Sequence, residues 1–441
     1  MTTVATQSVP TGWEEIRVAN LGEVVAGGTP TRNNSSYWNG DIPWATPSEI
    51  TRLHCKYLSE TAERITAAGL AGSAARLLPE KSIVVTTRAT LGEAAITTCP
   101  LATNQGFKNI VPNVSTDPLF TYYKIKTLRG EMERLASGTT FLEISKADFE
   151  EISFSCPKLA EQERIGLILD TLDTSIEQTE ALTAKLKQVR AGLLHDLMTR
   201  GVDENGEVRD PFVHPSAFKD SAMGKIPISW SVEKLGERLA RCRGHIQTGP
   251  FGSQLHASDY VAGGVPVVMP QDIDEGAVTL ANIACTSYAK ANELSRHKLK
   301  PADLIFSRRG DLGRCAVVGA RESGWLCGTG CLLMRFEQTK LMAGWLSLAY
   351  QHDSGQRQIA ARAVGTTMAN LNTDLLNHLV FAFPPIEEQE MVVSVAAEAG
   401  KRIAAARDEL AKLKMLRAGL TDDLLTGIVR VPEALDEREL A

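Results

Sequence analysis

KLKQVRAGLLHDLMT at positions 185–199 returns as KLKMLRAGLTDDLLT at 412–426, with ten of fifteen positions identical. A match of that length at an offset of 227 marks an internal repeat, which has to be recognised before any local motif is interpreted. Working outward, the same offset aligns Gly138, Thr139 and Thr140 with Gly365, Thr366 and Thr367, Pro157 with Pro384, and the Glu-Gln-Glu of 161–163 with that of 388–390. Slightly shorter offsets align Tyr37 with Tyr260, IPWATPSEI (42–50) with VPVVMPQDI (265–273), and Arg88, Leu91 and Gly92 with Arg309, Leu312 and Gly313. Trp13 and Trp230 open the two halves.

Each half has one plan. About 150 residues rich in Gly, Thr and Pro carry short β-branched runs such as SIVVTT (82–87) and 265–269, which read as strands joined by turns. Residues 119–135 and 341–359 read as amphipathic helices, so the class is α+β. A long helical stretch then follows. In the first, apolar residues recur at 165, 169, 172, 176, 182, 186, 189, 193 and 197, the steps of three and four that form a seam against another helix. In the second they recur at 392, 396, 399, 403, 406, 410, 413, 416, 420 and 424. Acidic residues follow Pro157 and Pro384, where a helix N-terminus favours negative charge. Each helix needs a packing partner. Pairing of the two seams is antiparallel and gives a pseudo-two-fold coiled-coil rod with a globule at each end. The alternative is that each helix folds back on its own globule. The expected boundaries are 1–156 for globule 1, 157–203 for helix 1, 204–229 for a linker, 230–383 for globule 2, 384–427 for helix 2 and 428–441 for a tail. Residues expected in the seam or in docking other subunits are Gln162, Ile176, Leu186, Val189, Leu193, Gln389, Ile403, Leu413, Leu416 and Leu420.

Composition narrows the function. The 441 residues are 23% charged and 43% hydrophobic, an ordinary globular mixture. No apolar run approaches the roughly 20 residues that span a bilayer, and the first residues lack the pattern of a signal peptide. Eight scattered cysteines without a CxxC read as reduced thiols in the cytoplasm. The net charge is −6, and residues 204–384, with 19 basic and 17 acidic side chains, form the one segment with a positive balance. Contact with nucleic acid must therefore come from local patches. No phosphate-binding Gly-Lys loop, nucleophile elbow or paired-histidine zinc motif occurs. His54 and His195 read as surface residues. No catalytic residue and no metal ligand is expected.

What remains is a set of loops rich in groups that hydrogen-bond bases and phosphates. In the first half they supply Thr31, Arg32, Tyr37, Thr87, Arg88, Thr90, Asn104, Gln105, Lys108, Thr139, Thr140 and Lys146. In the second they supply Gln254, Tyr260, Gln271, Arg308, Arg309, Arg314, Thr366, Thr367 and Asn370. Arg suits guanine, Asn and Gln suit adenine, and Ser or Thr holds phosphate. Solvated turns have the same composition. Recurrence of equivalent loops in both halves favours two readers of a split DNA site over that reading.

The ordered set GGTPTRNNSSYWNGDIPWATPSEI (27–50), TTRATLGEAAI (86–96), TNQGF (103–107) and GTTFLEISKADFEEISFSCPKLAEQERI (138–165), answered by GTTMANLNTDLLNHLVFAFPPIEEQEMV (365–392), resembles the specificity subunit of type I restriction–modification systems. The resemblance covers nearly the whole chain. It implies that the globules are target-recognition domains, each reading half of a bipartite sequence in double-stranded DNA. It implies that the helices set the spacer and dock two methyltransferase subunits, that restriction (helicase-nuclease) subunits join them, and that the complex works in the cytoplasm. S-adenosylmethionine, ATP and Mg would serve the partner subunits, with no cofactor on this chain. A coiled-coil scaffold that never touches DNA is the competing reading. Two departures stand out: GTGCL (328–332) replaces TNQGF, and residues 238–254 show no clear counterpart of GGTP.

Overall fold

A computed structural model describes residues 9–431 except 54, 139–141, 275, 281–282 and 364–369. The chain divides into two compact units, residues 1–181 with 407–441, and residues 182–406. In the first, a five-stranded sheet runs in the order Gly22–Ala26, Lys108–Pro112, Ile83–Arg88, Thr90–Thr97, Tyr57–Leu58. The pairs are antiparallel except the last, which is parallel. The second unit repeats the first four positions as His245–Thr248, Cys331–Arg335, Leu304–Ser307 and Cys315–Val317, all antiparallel. Each unit adds a smaller sheet containing one parallel pair, Trp44 with Ala102 in the first and Val267 with Leu326 in the second. Each closes with an antiparallel ribbon that runs into a long helix: Glu14–Arg17 on Ser153–Cys156, and Ser231–Lys234 on Val380–Phe383. The repeat in the sequence is therefore a repeat of strand order and register.

Two helices end sooner than their apolar periodicity predicts. Residues 119–135 form Pro118–Thr127 and Arg129–Leu135, with Leu128 at ψ 4° between them. Residues 341–359 fall within Ala343–Gln351 and Asp353–Ala363, where His352 adopts an extended ψ of 153°. At both places the chain turns while the apolar spacing continues, so the pattern alone could not show the break.

The long helices are Leu159–Thr199 and Ile386–Thr426, 41 residues each, or about 60 Å at 1.5 Å per residue. They pair antiparallel within each unit. In the first unit Arg417 donates to Asp173 at 3.0 Å and Lys414 to Glu180 at 2.6 Å. Leu424 and Leu425 join Ile165 and Leu169 in its core. In the second unit, Leu186, Val189 and Leu193 line a groove with Val395 and Ala399. The helices do not fold back on their own globules alone. Ile403 is buried, and Ile176, Leu186, Leu193, Leu413 and Leu420 are half-buried. Val189 and Leu416 are exposed, so they do not form the closed seam that was expected of them.

The helix starts are tied down twice by the same device. Glu161 accepts from the indole of Trp13 at 3.3 Å and from Arg430 at 2.7 Å. Glu388 accepts from the indole of Trp230 at 3.1 Å, from the backbone N–H of Val202 at 3.0 Å and from Arg209 through both of its oxygens. In each unit the tryptophan immediately precedes the first strand of the ribbon, and the arginine follows the end of the other long helix. Gly201 at φ 63° and Gly427 at φ 74° make that return possible, because a left-handed turn after a helix suits glycine. Gln162 and Gln389 belong to the same joints and are not docking residues. Both are buried. Gln162 donates to Pro157 O and accepts from Asp117 N, while Gln389 donates to Pro384 O and accepts from Met342 N.

Candidate nucleic-acid interface

The candidate loops that carry Arg88 and Arg309 follow matching strand ends of the two main sheets, and the same backbone scaffold holds them in both units. In the first, Thr87 N–H donates to Gly106 O at 2.8 Å and Ile144 N–H to Thr87 O at 3.1 Å. In the second, Arg308 N–H donates to Gly330 O at 2.8 Å and Leu371 N–H to Arg308 O at 3.0 Å. Arg88 and Arg309 thus follow equivalent strand ends, and both are exposed. The next turn is fixed by buried Leu91 and Leu312.

The same scaffold supplies the counterpart of GGTP that the sequence did not reveal. Gly27 donates to Phe107 O, and Gly249 donates to Cys331 O. A Cβ at Gly27 would overlap Asn104 O, and one at Gly249 would overlap Gly328 O. The glycine is kept because two backbones touch there, while the neighbouring residues are free to differ. Only the glycine could have signalled this, and it needed the strand register to be placed.

In the first unit Arg32 lies over Trp38, 3.9 Å from the ring centroid, and is held by both oxygens of Glu63. Trp38 meets Trp44 edge to face at 5.1 Å. The hydrogen bond to Glu63 raises the Arg32 pKa and that to Arg32 lowers the Glu63 pKa, so both stay charged. Gln105, exposed, bonds Thr29, and Thr31 is exposed beside it. Arg88 pairs with Glu143 at 3.5 Å. Lys146 is exposed and pairs with Glu150 at 3.5 Å. In the second unit Arg308 donates to Asn370 Oδ1 at 3.0 Å, and Arg314 donates to Asp311 at 3.2 Å. Gln271 is exposed. Phe251, which the residue-type search passed over, stands 58% exposed in the same loop as Gln254. Glu63 and Glu143 were also passed over. Each holds a cation in place.

Several expected contacts are not available at the surface. Thr87 is buried with its hydroxyl donating to Gly106 O. Lys108 is buried beside it, 3.7 Å from Glu143, and burial lowers its pKa. Both brace the strand ends. Thr90 is half-buried, and its hydroxyl is enclosed without a partner among the described residues. The Asn104 carboxamide accepts from Gly106 N–H at 2.8 Å and shapes the turn, and Gln254 does the same for Phe251 N–H at 3.1 Å. Tyr37 packs under Gly69 and Gly72. Tyr260 packs on the cluster of Leu255 and Val265, where burial raises its phenol pKa. Thr139, Thr140, Thr366 and Thr367, like His54, lie outside the described residues. Among the described residues no three His, Cys, Asp or Glu side chains converge as a metal site, and no helix is long and apolar enough to cross a membrane.

Residues 10–188 match the family of the Type I restriction modification DNA specificity domain. The type I restriction enzyme MjaIX specificity subunit of Methanocaldococcus jannaschii is 30% identical over 233 residues, which is 52% of this chain and 52% of that protein. The match therefore spans about half the length of that relative. The MjaVIII specificity subunit of the same organism is 23% identical over 439 residues, 96% of this chain and 94% of its own. Among solved structures, the type I restriction-modification S subunit from M. genitalium superposes with a TM-score of 0.56 at 16% identity, covering 96% of this chain and 98% of that one.

Proposed function

We propose, from its similarity to type I restriction–modification specificity subunits, that this chain is the non-catalytic DNA-reading subunit of such a complex. Each unit reads one half of a bipartite site in double-stranded DNA, and the long helices set the unread spacer and dock two methyltransferase subunits. Restriction subunits complete the assembly in the cytoplasm. S-adenosylmethionine, ATP and Mg act on those partners. The observation that carries the reading is the duplication of one loop scaffold, with Arg88 and Arg309 on equivalent strand ends. One reader per unit is what a split site requires. A scaffold without DNA contact has no need of matched exposed arginines braced by buried strand ends.

The weak overall charge fits a reader that borrows phosphate contacts from its partners. Methylome sequencing of the host with and without this chain tests the reading: methylation at one split sequence should vanish with the chain. Persistence of every methylated motif contradicts it. Within the reader, Arg88→Ala and Arg309→Ala should each weaken binding of the assembled methyltransferase to its cognate duplex by about 1–3 kcal/mol. Unchanged binding in a titration of both variants would remove these arginines from the interface.

A further inference from the structure

Arg32 is held in a seat that the second unit does not repeat. Its guanidinium carbon lies 3.9 Å from the centre of the Trp38 ring and 5.2 Å from that of Trp44. Its two terminal nitrogens donate to the two carboxylate oxygens of Glu63. The seat is itself anchored. Trp44 is buried and its indole N–H donates to Gly28 O at 2.9 Å, while that of Trp38 donates to Thr31 O at 3.3 Å. Glu63 stands directly opposite Trp44 in an antiparallel strand pair. The second unit repeats this strand pair without these side chains: Val267 takes the place of Trp44, and Ala284 stands opposite it. Two globules that read different letters should agree in scaffold and differ in such a place. The seat also adjoins the loop of Arg88. Gly28 N–H donates to Thr103 O at 2.8 Å, Thr29 bonds Gln105 in the turn that follows, and Gly106 O of that turn accepts from Thr87 N–H.

Resting on the DNA-reading role proposed above, we infer that Arg32 reads a guanine in the half-site of the first unit, with Glu63 and Trp38 as its positioning residues. A guanidinium carries five N–H donors in a planar fork. Glu63 occupies one edge of that fork, and Nε forms no hydrogen bond among the described residues. The side edge, made by Nε and one terminal nitrogen, is a second pair of parallel donors, the pattern that matches guanine O6 and N7. The side chain is 54% exposed, which leaves room for a base edge. Phosphate is the poorer ligand here. Glu63 cancels the charge of Arg32 and repels a phosphate, whereas a neutral pair of acceptors keeps both hydrogen bonds without that repulsion. A side chain already held by a carboxylate and an aromatic ring also has less freedom to lose on binding.

The test uses the full chain assembled with its methyltransferase subunits, and the duplex that methylome sequencing identifies as its site. The first unit's half-site is the one that changes when residues 13–156 are exchanged. Each guanine on either strand of that half-site is replaced in turn by 7-deazaguanine, which lacks the N7 acceptor and still pairs with cytosine. One replacement should weaken binding of the parent by about tenfold. The same replacement should make no difference to Arg32→Ala or to Arg32→Lys. The lysine keeps the charge and loses the two-donor edge, so its indifference separates base reading from charge alone. Glu63→Gln should shrink the response and steepen the fall of affinity with salt, because it leaves an unneutralised cation for phosphate. A parent assembly that binds no methylated site overturns the DNA-reading role, and this inference with it. A parent that binds its site but ignores every 7-deazaguanine in that half-site, or a response that persists in Arg32→Ala, overturns the inference alone.

Discussion

Glu388→Ala is expected to destabilise the second unit by about 3–5 kcal/mol, the cost of stripping one partner from a buried, hydrogen-bonded ion pair. The carboxylate is 5% exposed and Arg209 is 20% exposed. Its removal leaves the guanidinium, the Trp230 indole and the Val202 N–H without their acceptor in one step. Glu388→Gln should be milder, since it keeps one acceptor oxygen. Glu161→Ala should cost less than Glu388→Ala, because Arg430 is 41% exposed and water can replace part of the pairing. Urea unfolding of each variant against the parent chain measures these costs. The Glu161 joint also has a pH signature. Its pKa is lowered, chiefly by the hydrogen bond from Arg430. The folded state therefore binds fewer protons than the unfolded chain as pH falls, so the stabilisation is complete above the ordinary carboxylate range and is lost as pH falls from that range through the lowered pKa of the folded state. Arg430→Gln should flatten that part of the profile.

Lengthening both long helices should change the DNA target without changing the letters read. Four residues added after Ala181 and four after Ala406 fall at the unit boundaries. They leave the pairs Asp173–Arg417 and Glu180–Lys414 on one side and the groove of Leu186 and Val395 on the other. Each insertion adds about 6 Å and turns the helix roughly 40° beyond a full turn. At 3.4 Å per base pair the spacer should grow by roughly one or two pairs. Both half-sites should persist in the methylome of a host carrying the variant. An unchanged spacer with full methylation would show that the helices are not the ruler.

The repeat was legible because ten identities in a helix leave little room for another explanation, and the strand order follows it faithfully. The roles of repeated residues were harder to read. Gln162 and Gln389 recur because each ties a helix to its globule, a need that has nothing to do with partners. Glu161 and Glu388 read as charges complementing a helix N-terminus, yet most of their hydrogen bonds come from groups far away in the sequence. Sequence spacing cannot display such a joint. Thr87 and Lys108 looked like surface polar groups by residue type. Their places in Ile83–Arg88 and Lys108–Pro112, two paired strands of the main sheet, put them inside. The reverse error occurred at residues 238–254, where a one-residue motif, Gly249, preserves the geometry of a four-residue one.

The central claim is that the two units read DNA independently. Replacing residues 13–156 by the matching part of another specificity subunit, and sequencing the methylome of the host, tests it directly. The account predicts a new sequence in one half-site, with the other half-site unchanged. A simultaneous change in both half-sites would contradict it, because it would require one joint reading surface.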